Sequence, residues 1–456
     1  MRSVYIKTYG CQMNERDSEQ VATMFVNAGY ILADSEKDAD VILMNTCSVR
    51  EKAELKALGK MGILCARPKA KPHVVYGFMG CMCQSKGAQI FKEVPRVDVV
   101  AGTQQYQNVF AHCDRILNKR LEPSNPQRDE RPRKGAHILA VGEVANSQNS
   151  ICDHLQGKKS STDFVSIMQG CSMHCSYCIV PSTRGEERSR PEADIIEEVK
   201  MIVSRGVKEV TLLGQIVNRY GREQKPVDGK GAFVRLLEKL HEIEGLERIR
   251  FTSPHPSGFG PDLVAAYGYL PKLCSHIHFP MQSGSDRILQ LMKRPYRNEK
   301  YLQLLESLRA ARPDLSITTD IIVGFPTETE EDFLQTMAAV ERIQFDNAFV
   351  FQYSRRKNTP AAEMEGQLCL RVKEERNQRL LEVVNRIAIA RNQALVGTVQ
   401  EVLIEGPSKN NKDRLQGHSS QNKPIIIDAD SSTIGQICKV RITESTGFTL
   451  YGEIIA

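Results

Sequence analysis

Along the first 110 residues, short apolar runs alternate with stretches whose apolar positions recur every three or four residues. Val4–Tyr9, Val41–Asn45, Val74–Met79 and Val97–Ala101 read as strands covered on both faces, with Asp17–Asn27 and Glu51–Leu64 as helices between them. This alternation predicts an open parallel α/β sheet. It resumes six times between residue 161 and about 372. The strands there are Phe164–Met168, Glu209–Leu213, Arg248–Thr252, Ile277–Pro280, Ile317–Val323 and Ala348–Tyr353. The helices are Ala193–Ser204, Phe233–Ile243, Pro261–Leu270, Asp286–Met292 with Tyr301–Ala310, and Glu331–Ile343. Pro191 and Asp332 suit helix N-termini. Six β/α units predict a partial, open (β/α)6 barrel. A helix from Lys373 to Leu395 lines up Leu380, Leu381, Val384, Ile387 and Ala388 on one packing face and stops at Gly397. Beyond it Val399–Ile404, Pro424–Ile427, Ile437–Ile442 and Leu450–Ile455 are short alternating segments, the pattern of a small β-barrel. The expected division is 1–120, a basic linker at 121–160, 161–390 and 391–456.

Composition adds little to this picture and excludes some classes. With 41% hydrophobic and 25% charged residues the chain reads as a soluble globular protein, and no apolar run is long enough to span a membrane. Met1–Lys7 lacks the apolar core of a secretory signal. Thirteen cysteines, an odd number, argue against a disulfide framework and for thiolates used as metal ligands in a reducing cytoplasm. The net charge of +6 is mild, but seven basic and three acidic residues fall between Arg115 and Lys134, among Pro123, Pro126 and Pro132. Lys409 to Lys423 carries four basic residues against Asp413 alone. Each stretch is either a phosphate-contacting surface or a solvated loop.

The chemistry is concentrated in cysteine spacing. Cys171, Cys175 and Cys178 form C-x3-C-x2-C with Tyr177 before the last thiol. A cubic four-iron cluster takes four thiolates, so three leave one iron open to a substrate. This run resembles that of the radical S-adenosylmethionine (SAM) enzymes, whose open iron chelates SAM. A zinc site completed by His174 or a distant ligand, or three unrelated thiols, are the alternatives. A second set, Cys11, Cys47 and Cys81, stands just past the ends of three successive predicted strands, where ligands of open α/β sheets bind. Three thiols on one rim point to a second open cluster. The alternative is the ordinary burial of cysteine in α/β cores.

Longer motifs extend the resemblance to the whole chain. Thr8-Tyr9-Gly10-Cys11-Gln12-Met13-Asn14, Asn45-Thr46-Cys47-Ser48 and Gly80-Cys81-Met82 come first. Gln169-Gly170-Cys171, Arg184-Gly185-Glu186-Glu187-Arg188-Ser189-Arg190, Met281-Gln282-Ser283-Gly284-Ser285 and Asp320-Ile321-Ile322-Val323-Gly324-Phe325-Pro326 follow. With them the chain resembles the radical SAM methylthiotransferases, most closely the MiaB-type branch that acts on tRNA. Leu415-Gln416-Gly417 and Asn422-Lys423 resemble the family's TRAM domain, an RNA-binding module.

The resemblance implies two 4Fe-4S clusters. Cys171, Cys175 and Cys178 would hold the one that cleaves SAM to a 5′-deoxyadenosyl radical. Cys11, Cys47 and Cys81 would hold an auxiliary cluster that carries the sulfur. One SAM methylates that sulfur and a second yields the radical, which removes hydrogen from C2 of N6-isopentenyladenosine at position 37 of the tRNA anticodon loop. It further implies an electron donor such as a flavodoxin or ferredoxin, a monomer and a cytoplasmic location. A purine C–H bond has no acidic proton for a general base, and cofactor radical chemistry answers that. The basic linker and TRAM-like loop would contact phosphates.

By position Gln215, Gln282, Ser283, Asp320 and Gly324 are candidates for SAM contacts, with strand-end capping as the alternative. Arg184 and Arg188 are candidates for SAM or RNA phosphate, or else ordinary partners of Glu186 and Glu187. The chain departs from the family pattern at Cys83, which is either a competing ligand or a bystander, and at Ile216, Ser182, Arg355–Asn358 and His418. Cys65, Cys113, Cys152, Cys274, Cys369 and Cys438 fit neither set. Two other readings stay open: the same chemistry on threonylcarbamoyl-adenosine in tRNA or on a ribosomal-protein aspartate, and a non-catalytic iron–sulfur RNA-binding or electron-transfer protein.

Overall fold

The computed structural model describes residues 1–48, 51–67, 71–125, 134–157 and 160–455, which form two compact units. The first comprises 1–158, 165–173 and 179–198; the second comprises 159–164, 174–178 and 199–456.

In the first unit, β1 (Ser3–Tyr9), β2 (Ile31–Leu32), β3 (Val41–Thr46), β4 (Val75–Met79), β5 (Val99–Ala101) and β6 (Ile138–Ala140) form one parallel sheet in the order β2-β1-β3-β4-β5-β6. All six residues of β3 are buried, which is why Val41–Met44 is a continuous apolar run rather than an alternating one. Helices α1 (Gln12–Asn27), α2 (Glu51–Ala66), α3 (Cys81–Lys86), α4 (Gln89–Glu93) and α5 (Tyr106–Leu121) cover the two faces. Val21, Phe25, Val109 and Cys113 pack with Val4, Leu43 and Val99 on one side. Met61, Leu64, Met82 and Ile90 pack with Ile42, Met44 and Phe78 on the other.

Two features depart from the sequence reading. Helix α5 is marked by Tyr106, Val109, Cys113, Ile116 and Leu117, a 3.6-residue stripe in an otherwise polar segment. Strand β6 falls inside 121–160, the expected linker, and its backbone pairs with β5. Part of the basic run is structural: Arg120 donates to the fully buried Asp98 and to the Val74 carbonyl. Residues 126–133 of that run lie outside the described residues.

Next come β7 (Thr162–Ser166), the antiparallel pair β8 (Met168–Gln169) and β9 (Arg188–Ser189), and helices α6 (Val180–Arg184) and α7 (Glu192–Ser204). The second unit continues with β10 (Glu209–Leu213), β11 (Arg248–Phe251), β12 (His276–His278), β13 (Ser316–Val323) and β14 (Asn347–Gln352). Between and after them run α8 (Ala232–His241), α9 (Pro261–Tyr269), α10 (Asp286–Leu291), α11 (Asn298–Ala311), α12 (Glu330–Ile343), α13 (Pro360–Glu363) and α14 (Leu370–Gln393). The sheet orders β11-β10-β7 and β12-β13-β14, all parallel where the register is defined, make the expected six-stranded open barrel. The seam between β11 and β12 is held by the Ile249–Leu273 bridge and by Cys274 N donating to Ile249 O at 2.9 Å.

Last, β15 (Val399–Pro407), β16 (Leu415–Ser419), β17 (Pro424–Ile427), β18 (Ile437–Thr446) and β19 (Thr449–Ile454) close into a barrel around Val402, Ile404, Ile425, Val440 and Leu450. Leu415-Gln416-Gly417, expected in a loop, is strand β16, with Leu415, Gly417 and Ser419 inward. Arg248 fastens this barrel to β11 by donating to the carbonyls of His418 (2.9 Å) and Glu401 (2.7 Å). Lys423, expected at RNA phosphate, is instead buried and pairs with Asp346 at 3.1 Å and Asn392 at 2.8 Å. Lys409 and Lys412 remain exposed in the β15–β16 connection.

Candidate metal centres

The first sheet reverses its strand order at β1 and β3, the kind of switch point where open α/β sheets bind ligands past their carboxyl ends. Cys11 follows β1, Cys47 follows β3 and Cys81 follows the neighbouring β4, so three adjacent parallel strands deliver three thiols to one rim. Buried amides fix the loops: Asn14 Nδ2 donates to Asn45 Oδ1 (2.9 Å), and Asn45 Nδ2 donates to Asn14 O (2.8 Å) and Ser18 Oγ (3.0 Å). The Cys11 amide and thiol both donate to Asn14 Oδ1, at 3.3 and 3.4 Å. Gly80 takes φ +99°, and a Cβ there would lie 2.2 Å from Asn45 Oδ1, so the turn into Cys81 admits only glycine.

The thiols sense one another. Cys11 is lowered to about 6, chiefly by a hydrogen bond with Cys47 and then by the charge of Arg184, against the opposing effect of burial. Cys81 is raised by burial, with Arg184 acting in the opposite direction. Cys83 does not join them. It is fully buried in the apolar cluster with Met44, Met82 and Ile90, and burial drives its thiol well up. The structure makes it a core residue.

Arg184 is the group that sequence reasoning placed elsewhere. It neither pairs with Glu186 or Glu187 nor reaches solvent; it is 2% exposed, and its Nη2 donates to Asp17 Oδ2 at 2.7 Å. Tyr106 donates its hydroxyl to the same oxygen at 2.8 Å. The other terminal nitrogen, Nη1, is buried with no hydrogen-bond partner. A buried guanidinium that acts on Cys11 by its charge, hydrogen-bonds Cys81 and keeps Nη1 without an acceptor fits an anionic iron–sulfur cluster, since sulfur acceptors would satisfy it. Arg188 is likewise internal, donating to Gln104 Oε1 (3.0 Å) and Ser147 Oγ (3.3 Å).

The second set follows β8. Gly170, at φ +85°, turns the chain beneath Glu186, whose carbonyl a Cβ would meet at 1.8 Å, and Cys171 N donates to Gly185 O at 2.9 Å. Met173 N donates to the Cys171 sulfur at 3.4 Å. In the second unit, Ser176 is pinned by its amide to Met292 O (3.1 Å) and by its hydroxyl to Leu291 O (2.8 Å), while Cys178 N donates to Cys175 O at 3.1 Å. Arg294, which the sequence did not single out, donates through Nη1 to the Cys175 sulfur at 3.4 Å and lies 5.1 Å over the Tyr296 ring. Within the second unit, Cys175 and Cys178 sit in one hydrogen-bonded turn and Cys175 already accepts from a guanidinium, as a thiolate ligand of an iron–sulfur cluster would.

The proposed SAM-contact residues are placed unequally. Gln282 takes φ +68° and bridges β13: its N donates to Asp320 O, and Ile322 N donates to its carbonyl, both at 2.9 Å. A left-handed non-glycine held by two ladder bonds is strain of the kind stored at functional sites. Gly324 follows on the same strand at φ +72°, its N donating to Glu328. Asp320 is half-buried and pairs with His278 Nε2 at 3.1 Å. Gln215 is half-buried just past β10. Ser283 is fully buried, its hydroxyl engaged with Thr336 at 3.3 Å, so it supports α12 rather than an open site.

Family models match each region: the radical SAM superfamily at residues 165–340, the uncharacterized protein family UPF0004 at 3–102 and the TRAM domain at 393–455. A protein of Akkermansia muciniphila named tRNA-2-methylthio-N(6)-dimethylallyladenosine synthase is 64% identical over 99% of this chain and 98% of its own length. Proteins of the same name from Methylacidiphilum infernorum (51%, over 99% of this chain and 94% of the relative) and Opitutus terrae (48%, over 100% and 98%) are also similar. Among solved structures, the radical SAM methyltransferase TsrM from Kitasatospora setae superposes with TM-score 0.55 at 12% identity, covering 88% of this chain and 77% of that one. At that identity the likeness concerns the fold.

Proposed function

The chain belongs to the family of tRNA-2-methylthio-N(6)-dimethylallyladenosine synthases, and from that premise we propose how its residues divide the work. It is a radical SAM tRNA methylthiotransferase, using two SAM molecules and two 4Fe-4S clusters to place a methylthio group on C2 of the dimethylallyl-adenosine at position 37 of tRNA. The relatives' shared name sets this substrate ahead of a threonylcarbamoyl-adenosine or a ribosomal protein.

Cys171, Cys175 and Cys178 hold one cluster, and Cys11, Cys47 and Cys81 the other. When bound, the first supplies the electron that splits SAM and the second carries the sulfur to be transferred. Arg294 supports the first by donating to Cys175, and Arg184 supports the second through its hydrogen bond to Cys81 and its charge beside Cys11. Asn14, Asn45 and Ser18 hold the two loops that present Cys11 and Cys47. Gln215, Gln282 and Gly324 serve SAM from the carboxyl ends of their strands. Lys409 and Lys412, exposed on the closed barrel, reach RNA phosphates. A low-potential donor such as a flavodoxin or ferredoxin supplies electrons to a cytoplasmic monomer. No helix among the described residues is long and apolar enough to cross a membrane.

The observation that carries the two-site reading is the convergence of Cys11, Cys47 and Cys81 on the rim beside buried Arg184. The test is mass spectrometry of nucleosides from tRNA incubated with anaerobically reconstituted protein, SAM, sulfide and dithionite. Wild type yields methylthio-dimethylallyladenosine; C47A yields 5′-deoxyadenosine but no methylthio product; C175A yields neither. Equal loss of SAM cleavage in both variants would overturn the division of labour.

A further inference from the structure

The sheet β12-β13-β14 has two unlike faces. Along β13, Ile317, Thr319, Ile321 and Val323 are buried, while Thr318, Asp320 and Ile322 on the other face are only half-buried. The register pairs His278 with Thr318, Asp320 with Phe349 and Ile322 with Phe351, so these side chains share the second face. That face is the open one, because α14 packs on the first: Asn377 donates to the Val350 carbonyl, and Leu380 and Val384 are buried.

Phe349 is 51% exposed and Phe351 37% exposed on this face. Their β14 neighbour Ala348, pointing the opposite way, is 5% exposed. A polar set adjoins the rings. His278 joins Asp320 at 3.1 Å through Nε2 and Thr318 Oγ1 at 3.0 Å through Nδ1, and its ring meets Phe349 edge-on at 6.0 Å. An open strand face inside a β/α barrel that shows two phenyl rings beside a carboxylate is shaped for a ligand with a flat apolar body and a hydrogen-bond donor.

We propose that Phe349 and Phe351 receive the base to be modified, one ring against the purine face and the other against its dimethylallyl group, with the Asp320 carboxylate accepting from the N6–H. This rests on the reading of the reaction given above. Rings two residues apart on a strand stand roughly 6.6 Å from each other. That spacing lets a purine lie against one ring while a five-carbon substituent at N6 covers the other. The substituted amine keeps one N–H, which needs an acceptor, and Asp320 stands in register with Phe349. The SAM adenine is a poorer fit, because it carries no apolar substituent to cover the second ring. The assignment moves Asp320 from cofactor to substrate, and His278 becomes its positioning residue.

The test uses reconstituted holoenzyme and two anticodon stem-loop RNAs that differ only in the dimethylallyl group at N6. Equilibrium binding of each RNA is measured alongside the dissociation constant for SAM. Wild type should prefer the prenylated loop by roughly tenfold or more, given what a few buried methylenes discriminate. F349A and F351A should bring the two RNAs within about twofold while leaving SAM affinity unchanged, and F351L should restore part of the preference. Both rings are partly exposed, so the folded state tolerates their loss, and unchanged iron content and circular dichroism verify that. Variants that keep the wild-type preference overturn the proposal, as do variants that lose SAM affinity with the RNA preference intact. A wild-type enzyme that neither prefers nor methylthiolates the prenylated loop would overturn the functional reading itself.

Discussion

Arg294 donates a hydrogen bond to the Cys175 sulfur at 3.4 Å, and its Nε donates to the Tyr296 hydroxyl at 3.1 Å. Tyr296 in turn donates to the Met281 carbonyl at 3.0 Å, so the guanidinium is held by the segment that leads into Gln282. The thiol loop and the strand end proposed for SAM are thereby tied through one side chain. Arg184 occupies the corresponding position at the other triad, held by Asp17.

Removing the Arg294 hydrogen bond should shift the cluster's reduction potential. An N–H donor stabilises a thiolate ligand more as the cluster gains negative charge, so it favours the reduced form. R294M should therefore titrate at a more negative potential by an amount on the order of 60 mV, the one-electron equivalent of one charged hydrogen bond. R294K should fall between it and wild type. The measurement is a redox titration followed by electron paramagnetic resonance without SAM; a potential unchanged in R294M would count against the role.

For Arg184 the expected readout is stability of the protein before reconstitution. Arg184 and Asp17 are 3% and 1% exposed at their side chains, so R184M leaves a buried carboxylate with only Tyr106 donating to it. Breaking one side of such a pair costs about 3–5 kcal/mol. D17N/R184M should recover much of that, because no unpaired charge remains. Urea midpoints of wild type, both single variants and the double variant decide it: strictly additive losses would mean the two residues act independently.

Much of this was legible in the sequence. The fully buried strand β3 reads directly from its apolar run Val41–Met44, and cysteine spacing alone marks both thiol sets. What escaped was long-range. Arg184 lies one position before Gly185-Glu186-Glu187 and looks like a surface cation, whereas its partner Asp17 is 167 positions away. Lys423 sits in a basic stretch, and nothing near it in sequence announces Asp346. Strand β16 is hidden in the sequence because Gly417 and His418 lower the apparent β-propensity of a segment whose inward positions still alternate. Cys83 differs from Cys81 only in which way it points from a short helix, which spacing does not encode.

Acid sensitivity should arise from His255. Its imidazole is 5% exposed and is pushed down from 6.5 to about 2, first by burial and then by the charges of Arg294 and Arg219. Its Nδ1 accepts from Ser257 Oγ at 2.8 Å and Ser257 N at 3.2 Å, so the folded protein holds it neutral. The folded value lies below the unfolded one, so its contribution is fully present above pH 6.5 and is lost as pH falls toward about 2. Between pH 7.5 and 5 that amounts to about 2 kcal/mol. H255N retains an acceptor for Ser257 but does not titrate, and its urea midpoint should fall less over that interval; parallel losses in both proteins would remove His255 as the source.

The exposed and buried lysines of the C-terminal barrel should separate in how RNA binding responds to salt. Each phosphate contact contributes about 0.7–0.9 to the slope of log affinity against log salt. K412A, and independently K409A, should lower that slope by about one contact while leaving thermal stability near wild type, since both side chains are exposed. K423M should do the reverse. It strands Asp346, 7% exposed, without the lysine that meets it at 3.1 Å, while Arg391 at 3.0 Å remains as a partial replacement. The expected loss is below the 3–5 kcal/mol of a fully broken buried pair, with the slope unchanged. tRNA binding measured from about 50 to 200 mM salt, paired with thermal melts, reads both quantities. A K423M slope reduced like that of K412A would put Lys423 back at the phosphate backbone and the Asp346 pair in doubt.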